Sequence, residues 1–156
     1  MADTPVVSID LADPRIPAVT EIVRELDRHL TALYPAESNY LLDIETLAQP
    51  DVRFFAVTVG GEYCGCGAIR LHGRDYAEVK RMFVRPSRRG LGLGKRILKT
   101  LEDAARKEGV LVLRLETGNA QPDALRLFED AGFVRCGAFG DYRADDPYSV
   151  FMEKAL

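Results

Sequence analysis

Cysteine and histidine are scarce in this 156-residue chain, which holds three of the first and two of the second. His29 and His72 lack metal-ligand spacing, and Cys64, Cys66 and Cys136 are too few to complete a site, so no metal is expected. Cys64 and Cys66 sit two apart in a strand pattern and are expected on one side of it as buried thiols. No apolar run reaches membrane-spanning length. The start of the chain, with Pro5, Asp10 and Asp13, lacks the basic-then-apolar order of a signal peptide, so a reducing cytoplasm is the expected setting. A net charge of −3 argues against a general nucleic-acid binder. No repeat, low-complexity tract or linker divides the chain, so residues 1–156 read as one domain long enough to bury a core.

Two common phosphate motifs are also missing. A nucleotide-hydrolase loop ending on Gly94-Lys95 would need glycine where Arg89 stands and Ser or Thr where Arg96 stands. The dinucleotide fingerprint fails at its sixth position, which is Lys95 counted from Gly90 and Ile97 counted from Gly92. What is present is Val84-Arg85-Pro86-Ser87-Arg88-Arg89-Gly90-Leu91-Gly92-Leu93-Gly94-Lys95: a strand end, a basic glycine-rich turn and the start of an amphipathic helix. Glycines let backbone approach a ligand, and a helix start offers unpaired N–H groups with a positive dipole end. An anion is expected there. Ten Lys and Arg but only two acids, Glu102 and Asp103, lie between Lys80 and Lys107. That run suits a polyanionic ligand or a solvated helix face.

Periodicity predicts a strand at Val6–Leu11, a helix opened by Asp13-Pro14 and ended by Pro35, and a mixed segment to Gln49. Phe54–Val59 and Tyr63–Leu71 form a hairpin about Gly60-Gly61, and Tyr76–Val84 extends it into an antiparallel meander. A helix at Leu91–Glu108 then leads to Val110–Glu116, a crossover that makes these last two strands parallel. A helix at Pro122–Ala131 and strands at Val134–Cys136 and Ser149–Lys154 complete a mixed sheet in an α+β domain flanked by helices.

Arg89-Gly90-Leu91-Gly92-Leu93-Gly94 resembles the Arg/Gln-x-x-Gly-x-Gly/Ala signature of the GNAT superfamily of acyl-CoA-dependent N-acyltransferases. Ala124-Leu125-Arg126-Leu127-Phe128-Glu129-Asp130-Ala131-Gly132-Phe133 resembles the family's second motif, and the order of elements is similar across the chain. The tail from Phe139 to Lys154 is similar to an uncharacterised bacterial branch. The resemblance implies a GNAT fold whose parallel pair, Tyr76–Val84 and Val110–Glu116, splays apart, with acetyl-CoA as co-substrate. It implies coenzyme contacts from the backbone of Met82, Phe83 and Val84, and from Arg88, Arg89, Gly90, Leu91, Gly92, Leu93, Gly94 and Lys95. Asn119, Ala124 and Phe128 would complete them.

Attack on a thioester needs a neutral amine, hence a base. Glu78, eleven residues before Arg89, matches the base glutamate of family members, and Glu116 is the second candidate. Glu78 could equally be ion-paired with Arg81, Arg114 or another cation. Phe128 occupies the place of the tyrosine that protonates the departing thiolate in many members, leaving Tyr142 or Tyr148 as substitutes, or unaided departure. By the same analogy the acceptor cleft holds Tyr34, Tyr40, Glu78 and Glu116, with Glu37, Asp141, Asp145 and Asp146 available to a cationic amine. The expected activity is acetyl transfer to a primary amine of a small molecule. Transfer to a peptide amine and a non-catalytic acyl-CoA sensor are the alternatives, and a homodimer through the C-terminal strand is possible.

Overall fold

The computed structural model describes residues 4–40 and 42–156. Leu41, within the mixed segment expected between Pro35 and Gln49, lies outside them. Seven strands form one sheet in the order β1-β2-β3-β4-β5-β7-β6. They are β1 Val7–Leu11, β2 Val52–Val59, β3 Glu62–His72, β4 Tyr76–Val84, β5 Val112–Gly118, β6 Val134–Arg135 and β7 Ser149–Ala155. Helices α1 Pro17–Leu33, α2 Ile44–Leu47, α3 Leu93–Lys107 and α4 Pro122–Asp130 cover it.

Strands β1 to β4 pair antiparallel in sequence, β2–β3 and β3–β4 through short turns and β1–β2 across the segment that holds α1 and α2. The connection through α3 makes β4 and β5 parallel. The two faces of the sheet bury separate cores. Ile97, Leu98 and Leu101 of α3 pack with Val57, Ile69, Val79 and Leu113 on one face. Val19, Ile22 and Val23 of α1 pack with Phe54, Ala56 and Ala68 on the other. Each helix does this because its apolar residues recur at 3- and 4-residue spacing along one stripe.

Two bulges decide which side chains face which core. Gly65 pairs with Val57 and Tyr63 with Thr58, so Cys64 is the extra residue of β3. Cys64 consequently joins the α3 core while Cys66 joins the α1 core. The expectation that both thiols share a side is thus corrected, because it assumed unbroken alternation. On β4, Lys80 pairs with Ala68 and Phe83 with Cys66, which leaves Arg81 and Met82 against one residue. Arg81 takes φ +57°, a left-handed conformation that costs a non-glycine residue about 1–2 kcal/mol. Its guanidinium is held by Asp27 of α1 and donates to the Leu42 carbonyl at 2.6 Å. Arg85 is pinned to Glu25 of the same helix at 2.9 Å.

The elements fall where expected with shifted ends. Helix α1 starts three residues after Pro14, behind a turn in which Asp13 accepts from the Arg15 N–H at 2.9 Å. Strand β5 runs two residues later than anticipated at both ends. The C-terminal strand β7 lies between β5 and β6 and pairs with both, and β6 covers it only at Met152 and Glu153.

Candidate active site

Strands β4 and β5 pair only at Ala77–Leu113 and Glu78–Arg114, and part beyond them. A cavity of about 500 Å³ fills the fork. Met82, Phe83 and Val84 line it from β4, and Glu116, Thr117 and Gly118 from β5. Its far side is closed by α1 and by α4, which contributes Ala124 and Phe128. Beyond the last paired residues, backbone groups of β4 face a gap rather than a neighbouring strand.

A second, shallower cavity of about 270 Å³ continues from the first, sharing Val84, Arg89, Gly94 and Leu127 with it. Arg88, Gly90, Gly92, Leu93 and Lys95 complete its wall. Gly92 is the N-cap of α3 at φ +71°, with no capping side chain and no acid in the first helical turn. Gly90 takes φ +84°. Both conformations favour glycine. Among the described residues, no protein acceptor lies on the N–H groups from Gly90 to Lys95. These donors are therefore free of protein partners, as at a helix start that suits an anion.

The basic run divides in two. Arg81, Arg85, Lys99 and Arg106 are committed to Asp27, Glu25 and Asp103. Arg88 reaches the exposed Glu62 at 3.4 Å, and Arg89 donates to the Val84 carbonyl at 3.1 Å. Lys95 and Arg96 have no carboxylate within ion-pair distance among the described residues. Leu91 is exposed at the tip of the bend and lines neither cavity.

Of the two candidate bases, only Glu116 lines the cavity. It accepts from the Ser149 hydroxyl at 2.7 Å. Burial raises its pKa above the ordinary carboxylate value, against the lowering effect of Ser149 and of the Lys80 charge. Glu78 is 4% exposed and lies behind the cavity wall. Its carboxylate meets the Lys80 ammonium at 2.9 Å, accepts from the Tyr142 hydroxyl, and has the His72 ring at 3.5 Å. The cation that balances it is thus Lys80, neither Arg81 nor Arg114. Arg114 pairs instead with Glu153 at 3.2 Å and lies over the Tyr76 ring.

Tyr142 brings the last loop back over β4 and also accepts from Lys80. Burial first, then the neighbouring Glu78 charge, push its hydroxyl pKa strongly upward, so it holds its proton. It does not line the cavity. Lys80 does, and is the functional candidate that sequence reasoning missed. A lysine inside a long basic run carries no local mark of its position. The alternation of β4 above the bulge, which puts residue 80 on the face of residue 78, was the available signal.

The acids expected to greet a cationic amine are elsewhere. Glu37, Asp141 and Asp145 are exposed and line neither cavity. Asp146 is buried and accepts from Tyr40 at 2.6 Å, the Tyr148 N–H at 2.9 Å, Ser38 at 3.1 Å and Arg143 at 3.3 Å. Burial alone would raise its pKa, but these donors outweigh it and hold the carboxyl at about 2. Asp146 is a clasp between the segment after α1 and the loop before β7. Asn119, expected toward the coenzyme, also serves this loop: its side-chain amide donates to the Pro147 carbonyl at 3.2 Å, and it is absent from the cavity wall.

Tyr34 is buried across the end of β5, where its hydroxyl accepts from the Ala120 N–H at 3.1 Å and donates to Gln121 at 3.3 Å. A Cβ on Gly118 would overlap that hydroxyl. Gly118→Ala is expected to expel the ring at a cost of about 1–3 kcal/mol. For a domain of this size that lowers Tm by roughly 2–4 °C per kcal/mol. Differential scanning calorimetry checks it, and an unchanged Tm would mean the ring repacks freely.

A helix start with unpartnered amides that feeds a splayed parallel pair, with a half-buried carboxylate at the fork, is the arrangement of an acyl-CoA-dependent acyltransferase. The sequence model of the acetyltransferase (GNAT) family matches residues 19–133, and the chain belongs to that family. It is similar to an "IAA acetyltransferase" of Azospirillum brasilense, 48% identical over 97% of this chain and 99% of the relative. A Klebsiella pneumoniae structure provisionally described as an acyl-CoA N-acyltransferase shares 34% identity, with TM-score 0.81 over 97% of this chain and 98% of that one. The PaiA N-acetyltransferase of Thermoplasma acidophilum, solved with coenzyme A, shares the fold, with 18% identity and TM-score 0.73 over 97% of this chain and 99% of that one.

The residues of this chain fit that coenzyme. The open N–H groups from Gly90 to Lys95 suit a diphosphate, and the gap beside Met82 and Val84 suits an extended arm. Phe128 is buried against Phe133 with ring centroids 5.7 Å apart, so the side chain at that position packs and lines, and gives no proton.

Proposed function

We propose that the protein transfers an acetyl group from acetyl-CoA to a primary amine of a small molecule. The observation that carries this reading is the fork itself, where the unpaired edge of β4 leads from the open amides to a cavity-lining carboxylate, Glu116. When bound, acetyl-CoA supplies an acyl group already activated as a thioester. The chain does the rest. Backbone donors from Gly90 to Lys95 anchor the diphosphate, and Met82 and Val84 align the arm and polarise its acyl carbonyl. Glu116 takes the proton from the incoming amine, directly or through a water, because an ammonium is no nucleophile. Glu78 holds Lys80 and Tyr142 in place behind it. With phenylalanine at position 128, the thiolate departs unaided, which its fairly acidic conjugate thiol permits.

A thiol-release screen with acetyl-CoA tests this against monoamines, amino acids, polyamines, aminoglycosides and peptides. Amine-dependent thiol release with a matching acetylated product is the expected result. Coenzyme A binding without amine-dependent release from any of them would replace the enzyme with an acyl-CoA sensor.

A further inference from the structure

The acceptor end of the cavity carries more information than the presence of a base. Its α1 wall is a stripe of Leu26, Leu30 and Leu33, one helical turn apart. Leu33 remains 37% exposed and Leu30 is half-buried, so part of this stripe has no protein cover. Three phenol rings, Tyr34, Tyr40 and Tyr148, face the same space, and Tyr34 and Tyr148 meet edge to face at 6.0 Å. Among the described residues the cavity holds two acids, Glu116 and Asp123. Asp123 lies in the first turn of α4, and Glu116 sits at the inner end beside the Lys80 charge.

That composition excludes two acceptor classes. A polycation needs several carboxylates along its length, and it would find two, one of them beside the Lys80 ammonium. A peptide needs an open groove, yet Ser38 and Tyr40 of the cavity wall are tied to the buried Asp146. Threading a main chain through would leave a buried carboxylate short of its donors.

Resting on the amine-transfer reading above, we infer that the acceptor is a small monoamine on an apolar, ring-bearing body. Its amine reaches Glu116 and its ring rests between the α1 leucine stripe and the three tyrosines. Burial of such a body on apolar walls supplies the affinity, while one carboxylate suffices for one amine.

The test compares kcat/KM for 2-phenylethylamine, spermidine and a short peptide amide with acetyl-CoA saturating. In the native protein 2-phenylethylamine is expected to lead by about tenfold or more, the span a hydrophobic pocket can supply. Leu33→Asp, a change at an exposed position, is expected to raise KM for 2-phenylethylamine about tenfold through its charge on the apolar wall. Coenzyme A affinity, which reports folding, stays unchanged. Higher kcat/KM for spermidine or the peptide, or an unaltered KM in Leu33→Asp, would overturn the inference and leave amine transfer standing. No transfer to any of the three or to the wider screen, with coenzyme A still bound, would remove both.

Discussion

Replacing Gly92 by glutamate is expected to weaken coenzyme A binding by at least about 100-fold while the domain stays folded. Two separate effects act there. Gly92 sits at φ +71°, where a side chain costs about 1 kcal/mol. A Cβ at this position meets nothing within 4 Å, so there is no clash to unfold the helix start. The larger effect is charge. A carboxylate roughly 4 Å from a phosphate opposes it by about 4 kcal/mol at the effective dielectric of a protein surface. Each 1.4 kcal/mol corresponds to about a tenfold change in affinity. Gly92→Ala carries the strain without the charge and is expected to lose less than about tenfold on the same scale. Titration calorimetry on the two variants separates the effects. Equal losses would mean that bend geometry, and not anion binding, governs the site.

Glu116→Gln is expected to lower kcat by about 100-fold or more, the usual worth of a positioned base. Coenzyme A affinity should hardly change, since Glu116 lies at the fork and the diphosphate site at the bend. The pH profile supplies the more specific readout. Burial raises the Glu116 pKa in the folded protein, so its base form is present only above that raised value. Activity should therefore rise with pH along a limb displaced upward from the ordinary carboxylate range, and Glu116→Gln should erase that limb. Were the limb to survive in Glu116→Gln and vanish in Glu78→Gln, the buried cluster behind Lys80 would hold the base instead.

What the chain announces locally was legible in the sequence. The bend from Arg89 to Gly94 could be read because glycines, a preceding strand and a following amphipathic helix are neighbours in the chain. The order of strands and helices followed from periodicity and short turns. Side-chain parity was not legible, because the bulges at Cys64 and Arg81 are set by the register between adjacent strands and not by residue type, and Arg81 carries no glycine to mark its left-handed backbone. Lys80, Asp146 and Asn119 have the roles they do only because the loop before β7 folds back onto β4 and the segment after α1. Interior placement of β7 likewise follows from β6 pairing outside it, through just two residues. Such long-range pairings leave weak marks on local composition.

The central claim is that main-chain donors from Gly90 to Lys95 hold the diphosphate of coenzyme A. Titrating the isotope-labelled protein with coenzyme A and following each backbone amide by nuclear magnetic resonance tests it directly. The amides from Gly90 to Lys95 should show the largest shifts, with those of β1 unmoved. Saturation of binding with these six amides unshifted would contradict it.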